Sequence, residues 1–371
     1  MSKYRRKIFY ISGFDPRGAD FYYKIYKNEA KKYALLSHSA STPVISAKSA
    51  IAQHHIGWSI ETDECVTDYS FLCWKDLIRK KWRRNRFDFL KDTIITYASY
   101  LTQRHVVTAA RISYAPIILF FYPVFLVILA FCVSLLAAVI GGWIYWLLFP
   151  MLMAGLFFMF RTWQPVWLLH TFSFNMDLCQ NNNTELELRC ATFADDVSQS
   201  IQDDKHDEII LVGHSNGVFL LLKTLHKMIK NNAIRSPKLK ILTLGQFVQM
   251  VTLHRSGNAL RRLVSDLQSL DNIWLDISAM ADPACFPLVG PFHKTTEDSQ
   301  PNMTVASAGF HKLYPPDHYQ KLRRDKFNYH FLYLKCSDII GAFNYLAITM
   351  DKEPLEHHIG NIIKQNSLPN A

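Results

Sequence analysis

The 49 residues between Arg111 and Arg161 contain no Asp, Glu, Lys, Arg or His. Leu, Ile, Phe, Val and Ala dominate them, with Trp143, Tyr145 and Trp146 near the centre. Roughly 20 apolar residues cross the hydrocarbon core of a bilayer, so the stretch has room for two crossings and a turn. Gly141-Gly142 is the best break, which predicts helices near Pro116–Val139 and Trp143–Phe160. Pro116 and Pro150 start or kink such helices without forbidding them. Lys80, Lys81, Arg83, Arg84, Arg86, Lys91, Arg104 and Arg111 precede the stretch and Arg161 follows it, while the Gly-Gly turn is uncharged. Excess basic charge stays inside, so both ends are expected in the cytoplasm. A hairpin lying in one leaflet and a helical pair buried in a soluble core are the alternative readings.

The rest of the chain has to fold around this insert. A hydrophobic fraction of 49% excludes a disordered protein and permits a large core. The 41 Lys and Arg against 31 Asp and Glu leave a net charge of +10, which suits an anionic partner. The basic run Arg79–Arg86, with Trp82 interleaved, would bind nucleic acid in another context. So close to an apolar hairpin it reads as a juxtamembrane segment meeting anionic lipid headgroups, and no nucleic acid is expected. Seven cysteines, an odd number without CxxC spacing, indicate neither a disulfide framework nor a zinc site. His54-His55 and His357-His358 lack metal-ligand spacing and are expected to be solvated, so no metal or cofactor is expected. The basic start, Met1–Tyr10, passes directly into a strand-like run, and no cleavable signal peptide is expected.

On both sides of the insert the pattern is α/β. Lys7–Ser12, Gly57–Glu61, Glu208–Val212, Lys240–Leu244, Ile273–Ile277 and Tyr329–Leu334 read as strands. Asp20–Ala34, Thr192–Ile201 and Asn216–Ile229 read as helices, while Gln180–Thr184 and Pro287–Pro301 read as loops. Alternation of this kind predicts a mostly parallel sheet with helices on both faces. The expected division is residues 1–110, a membrane hairpin at 111–161, and residues 162–371, the first and last completing one domain.

Gly213-His214-Ser215-Asn216-Gly217 is a G-x-S-x-G placed directly between an apolar strand and an apolar helix. That context is what a nucleophile elbow requires: a tight turn strains the serine, and flanking glycines let neighbouring backbone pass. An ordinary Gly-rich turn with an incidental serine is the alternative. In this motif the sequence resembles the α/β-hydrolase superfamily, over Lys7–Ala34 and Thr192–Ala347. The resemblance implies Ser215 as nucleophile, followed in the chain by an acid and then a histidine. Asp282, in a loop after a strand, is the favoured acid, with Asp276 the runner-up inside the strand. His330 is the favoured base over His293, His311 and His318, and His214 is read as a packing residue. The early turn Ser12-Gly13-Phe14-Asp15 matches the family's oxyanion turn, with Ser12 where the family carries His. Its implied donors are the N–H groups of Phe14, or of neighbouring Asp15, and of Asn216.

Gly13 precedes the insert and Ser215 follows it, so one site demands that the chain return to the compartment it left. An even number of crossings does this. The resemblance and the insert together imply a membrane-anchored serine hydrolase acting on an ester or thioester of a lipid or acyl substrate. An acyltransferase using the same residues, and a non-catalytic membrane scaffold retaining the fold, are the alternatives.

Overall fold

The computed structural model describes residues 2–37, 42–82, 85–102, 105–159, 165–180, 183–230, 234–292 and 302–367. Arg83, Arg84, Arg104, Phe160, Arg161 and His293 lie outside the described residues, as do 181–182 and 293–301 of the two expected loops. The fold is α/β around a nine-stranded, mostly parallel sheet. Its strands are β1 (Tyr4–Ile11), β2 (Val44–Ile45), β3 (Ser49–Ala52), β4 (His55–Glu61), β5 (Cys65–Leu72), β6 (Glu208–His214), β7 (Leu239–Leu244), β8 (Trp274–Ser278) and β9 (Met303–Ser307). They are ordered β2-β4-β5-β1-β6-β7-β8-β9, with β3 also paired to β4. From β5 to β9 every pairing is parallel, and β2, β3 and β4 form an antiparallel margin.

Parallel strands covered on both faces read as continuous apolar runs, which is why β6, β7 and β8 are buried along their whole length. Successive side chains alternate between faces. Phe9, Ile11, Leu211, Ile241 and Trp274 join one core, and Ile8, Tyr10, Ile210, Val212, Leu242 and Leu275 join the other. Helix α1 (Ala19–Leu36) covers the second core with Tyr22, Tyr26 and Ala30. Helices α2 (Lys75–Trp82), α3 (Arg86–Leu101) and α4 (His105–Ile112) follow on the way to the apolar insert. At the sheet's centre Arg6 and Glu208 face each other across β1 and β6, wholly buried, with a 2.6 Å ion pair. Arg6 also donates to the Asp351 and Glu353 carbonyls, and Lys240 reaches Glu208 at 3.0 Å. Sliding β1 by one residue would strand a buried charge, so this network holds the ends of β1 and β6 level.

The expected strands over Lys7–Ser12, Gly57–Glu61, Glu208–Val212, Lys240–Leu244 and Ile273–Ile277 correspond to β1, β4, β6, β7 and β8. Tyr329–Leu334 does not form a strand. Its amides bond locally, Phe331 to the Asn328 carbonyl and Leu334 to the Phe331 carbonyl, both at 3.1 Å, in two short helical turns. Tyr329 and Leu332–Leu334 are all buried, and an apolar run without alternation does not separate strand from helix.

The insert forms α5 (Ala115–Gly141), a 3₁₀ turn (Trp143–Leu147) and α6 (Leu148–Met159). Helix α5 has 27 residues, and its most apolar 18-residue window has a mean hydropathy of 3.0 and is 17% buried. Among the described residues it alone is long and apolar enough to cross a bilayer. The second apolar helix is shorter than the expected Trp143–Phe160. α6 starts at Leu148, which puts Pro150 in its first turn, where a missing N–H is tolerated. Phe131 of α5 meets Trp146 and Phe149 at ring-centroid distances of 5.6 and 6.3 Å, so the segment folds back on α5. Helices α7 (Pro165–Gln180), α8 (Thr184–Gln202) and α9 (Gly217–Lys230) then cover the first core.

Candidate active site

The connection from β1 leads by way of α1 to β5 on one side of β1, whereas β6 and its successors lie on the other. The strand order therefore reverses between β1 and β6, and the crevice beyond their carboxyl ends is where such sheets bind ligands. Ser215 stands there, directly after β6. Its φ of 54° is a left-handed conformation that costs a non-glycine residue about 1–3 kcal/mol. The turn is held because the Ser215 amide donates to the Leu244 carbonyl at 2.9 Å and the Val218 amide returns to the Ser215 carbonyl at 3.1 Å. The glycines are demanded by proximity. A Cβ on Gly217 would lie 2.4 Å from the Ile11 carbonyl oxygen, and one on Gly13 would lie 3.0 Å from Ser215 Cβ. The end of β1 thus passes against the serine.

Asp282 lies in the loop after β8, wholly buried, and accepts a 2.7 Å hydrogen bond from His330 Nδ1. The Tyr333 hydroxyl donates to the same carboxylate oxygen at 2.9 Å, and the Ala284 amide to the other, also at 2.9 Å. Burial alone would raise the Asp282 pKa; the charge and hydrogen bond of His330, with the donors just named, outweigh it and hold the carboxyl below its usual range. His330 follows a short helical turn, and its Cε1 lies 3.1 Å from where a Cβ would stand on Gly245, the first residue after β7. Its Nε2 is buried without a hydrogen-bond partner among the described residues, so no bond joins it to Ser215 in this state. Ligand-free sites commonly carry such gaps and close them only around the substrate. His214 is buried, stacks on the His330 ring at 4.9 Å, and pairs through Nε2 with the His330 carbonyl at 3.0 Å. Burial, and then the neighbouring His330, lower its pKa to about 3, so it packs and positions as a neutral ring.

The early turn is locked from several directions. Asp15 accepts two bonds from the Arg17 guanidinium at 2.8 and 2.6 Å and one from the Tyr22 hydroxyl at 3.0 Å. Arg17 in turn lies over the Phe21 ring at 3.5 Å and the Phe331 ring at 4.9 Å, bridging this turn to the His330 segment. Trp167 of α7 donates to the Phe14 carbonyl at 2.7 Å, and its ring meets Phe327 edge-on at 5.3 Å. The amides of Phe14 and Asn216 donate to no acceptor among the described residues, whereas Asp15 N–H is spent on the Gly13 carbonyl at 2.8 Å. Of the two alternatives at this turn, Phe14 is the free donor. Asn216 is oriented by its side chain, which donates to buried Asn175 of α7 at 3.0 Å. Chemically, an imidazole oriented by a buried carboxylate can shuttle a proton beside a strained serine, with two amides available for developing negative charge.

Other sequence-predicted residues lie elsewhere. Asp276 points into the sheet's helix-covered face and accepts from Thr243 at 2.5 Å; burial raises its pKa to about 7, and it contacts no histidine. His318 pairs with Asp338, and His311 is exposed beside Tyr319. His55 and His358 are buried rather than solvated, His55 packing on Phe9 and His358 with its pKa lowered by burial to about 4. Within the basic run, Lys81 is also buried, paired with Asp177 at 2.5 Å and Asp92 at 3.7 Å, because α2 must dock on α7 and α3. Tyr333, Gly245, Trp167, Arg17 and Asn175 escaped the sequence reading; apart from the glycine, each lies in a helix or turn with no motif to announce it. No metal-holding group of His, Cys, Asp and Glu occurs among the described residues.

A larger hollow of about 640 Å³ opens at the amino ends of β7 and β8, beside Arg235 and Asp271, away from these groups. Comparison with protein-family models, curated proteins and solved structures gives no significant match.

Proposed function

We propose that the chain is a membrane-anchored serine hydrolase of the α/β-hydrolase type, cleaving an ester or thioester of a lipid or acyl substrate. The observation that carries this reading is the 2.7 Å hydrogen bond from His330 to buried Asp282, at the sheet edge where Ser215 is held at positive φ. Ser215 Oγ attacks the acyl carbonyl while His330 Nε2 takes its proton. Asp282 keeps the imidazole in the tautomer with the proton on Nδ1 and stabilises the imidazolium. The Phe14 and Asn216 amides receive the tetrahedral oxyanion. The intermediate collapses, the alcohol or thiol leaves with the proton from His330, and an acyl-Ser215 ester remains. Water then gives a proton to His330 and attacks that ester, and His330 returns the proton to Ser215 Oγ as the carboxylic acid leaves.

Membrane attachment is supported by the exposed apolar surface of the insert, where Leu136, Val139, Ile140 and Trp143 are each more than half exposed. The basic residues before the insert support a catalytic part on the cytoplasmic side, by the excess of positive charge on that face. The test is turnover of a fluorogenic acyl ester by the purified full chain. Ser215→Ala and His330→Ala are expected to lower kcat by about 10³-fold or more with unchanged circular dichroism. Retention of wild-type turnover in both variants would refute the reading.

A further inference from the structure

The roof over His330 is built from the apolar insert and its flank. A cavity of about 20 Å³ adjoins the imidazole, lined by Leu119 of α5, Trp167 and Leu168 of α7, Pro283 and Ala284 beside Asp282, and Phe327. That is room for about one water, so an alkyl chain enters this space only if its walls part. Those walls offer carbon almost throughout; Lys326 contributes the lining's one ammonium. Helix α5 changes along its length: most of its first turns are buried, one face stays buried as far as Leu126, Ala130 and Ser134, and its far end is exposed. Pro116, Ile117, Leu119 and Phe120 are buried against the domain, Phe120 meeting Phe172 of α7 at 4.8 Å. Further on, Phe125, Ile128, Leu136 and Val139 are exposed. At 1.5 Å per residue, Leu119 lies about 25 Å along the same helix from Leu136. One rod therefore roofs the site at its start and presents lipid-compatible surface at its far end.

We propose that the seam between α5 and α7 is an acyl-chain entrance, through which the alkyl chain of a bilayer-resident lipid passes along α5 to bring its carbonyl to Ser215. This rests on the serine-hydrolase reading and names the ligand and its route. A chain drawn out through water would expose each of its methylenes to solvent, and a lateral path along an apolar helix avoids that cost. Leu119, Leu168 and Phe327 can part around a chain and be sealed by it, while Trp167 stays bonded to the Phe14 carbonyl. The Lys326 ammonium is placed to face the lipid's polar head.

The experiment embeds the full chain in vesicles of phosphatidylcholine and phosphatidylglycerol and compares two fluorophosphonates, a hexadecyl probe dissolved in the bilayer and an ethyl probe dissolved in water. The ratio of their phosphonylation rates is measured. Leu119→Trp, which fills the seam, is expected to lower that ratio about tenfold, and Leu119→Ala, which widens it, to raise the ratio about threefold. A ratio unmoved by either variant overturns the entrance. Should Leu119→Trp fail to fold, Leu119→Ala decides alone. If neither probe modifies the wild-type chain, the serine-hydrolase reading fails and the entrance falls with it.

Discussion

Two aspartates six positions apart have opposite fates, and their environments explain why. Asp282 leaves its strand, meets His330, Tyr333 and an amide, and stays ionised although wholly buried. Asp276 stays in β8 on the same face as Trp274, with only hydroxyl and amide side chains to bond, and its pKa rises to about 7. A carboxyl whose folded pKa exceeds its unfolded value stabilises the fold below the unfolded pKa, and that stabilisation is lost as pH rises. For Asp276 the loss runs from about pH 4 through about pH 7. Asp276→Asn, which keeps the acceptor for Thr243, is expected to remove this decline and to be more stable than wild type at pH 8. Urea unfolding of both chains at pH 5 and pH 8 checks it; a wild-type decline equal to the variant's would contradict it. That Asp276 lies inside a strand and Asp282 in the loop after it was legible in the sequence, because an apolar run marks the strand and the residues beyond it are free of its alternation.

Elements announce themselves in sequence when burial imposes a regular pattern. The apolar runs of β6, β7 and β8 and the long apolar face of α9 did so. Tyr329–Leu334 misled because a short run buried on several sides lacks any period, and β5 was hidden because Thr67, Asp68 and Ser70 interrupt its apolar residues. β9 is an edge strand of five residues with little burial to pattern it. The roles of α7 were not legible, since they depend on tertiary contacts: Trp167 bonds the Phe14 carbonyl, and Asn175 bonds the Asn216 side chain. The Phe14 carbonyl shares its peptide plane with the Asp15 N–H, so through the first bond α7 anchors the early turn one peptide beyond the Phe14 N–H. Trp167→Phe keeps the ring and loses the N–H. A hydrogen bond of about 1 kcal/mol predicts roughly a fivefold fall in kcat with KM little changed. Steady-state kinetics on an acyl ester separates this from a packing defect, in which loss of folded protein would accompany the fall.

Across the whole molecule, the sheet brings together residues that the apolar insert separates in the chain. Gly13 and Phe14 follow β1, the first strand, and Ser215 follows β6, yet the two strands are neighbours in register. The buried Arg6–Glu208 pair holds that register from the opposite end of the strands. One continuous sheet requires the chain to leave for the insert and come back, and the fold-back of the segment after α5 onto Phe131 is compatible with that return. The overall α/β plan could be read from alternating patterns, but the strand order could not, because it depends on the pairing of β1 with β6, where Arg6 lies opposite Glu208. The claim on which the functional account depends is that this assembly makes one serine among many nucleophilic. The most direct measurement is to react the full chain in vesicles with a fluorophosphonate and locate the adduct by peptide mass spectrometry. The account predicts a single phosphonylated residue, Ser215, with labelling lost in Ser215→Ala and strongly slowed in His330→Ala. A folded chain that takes up no label, or carries it on a different serine, would contradict it.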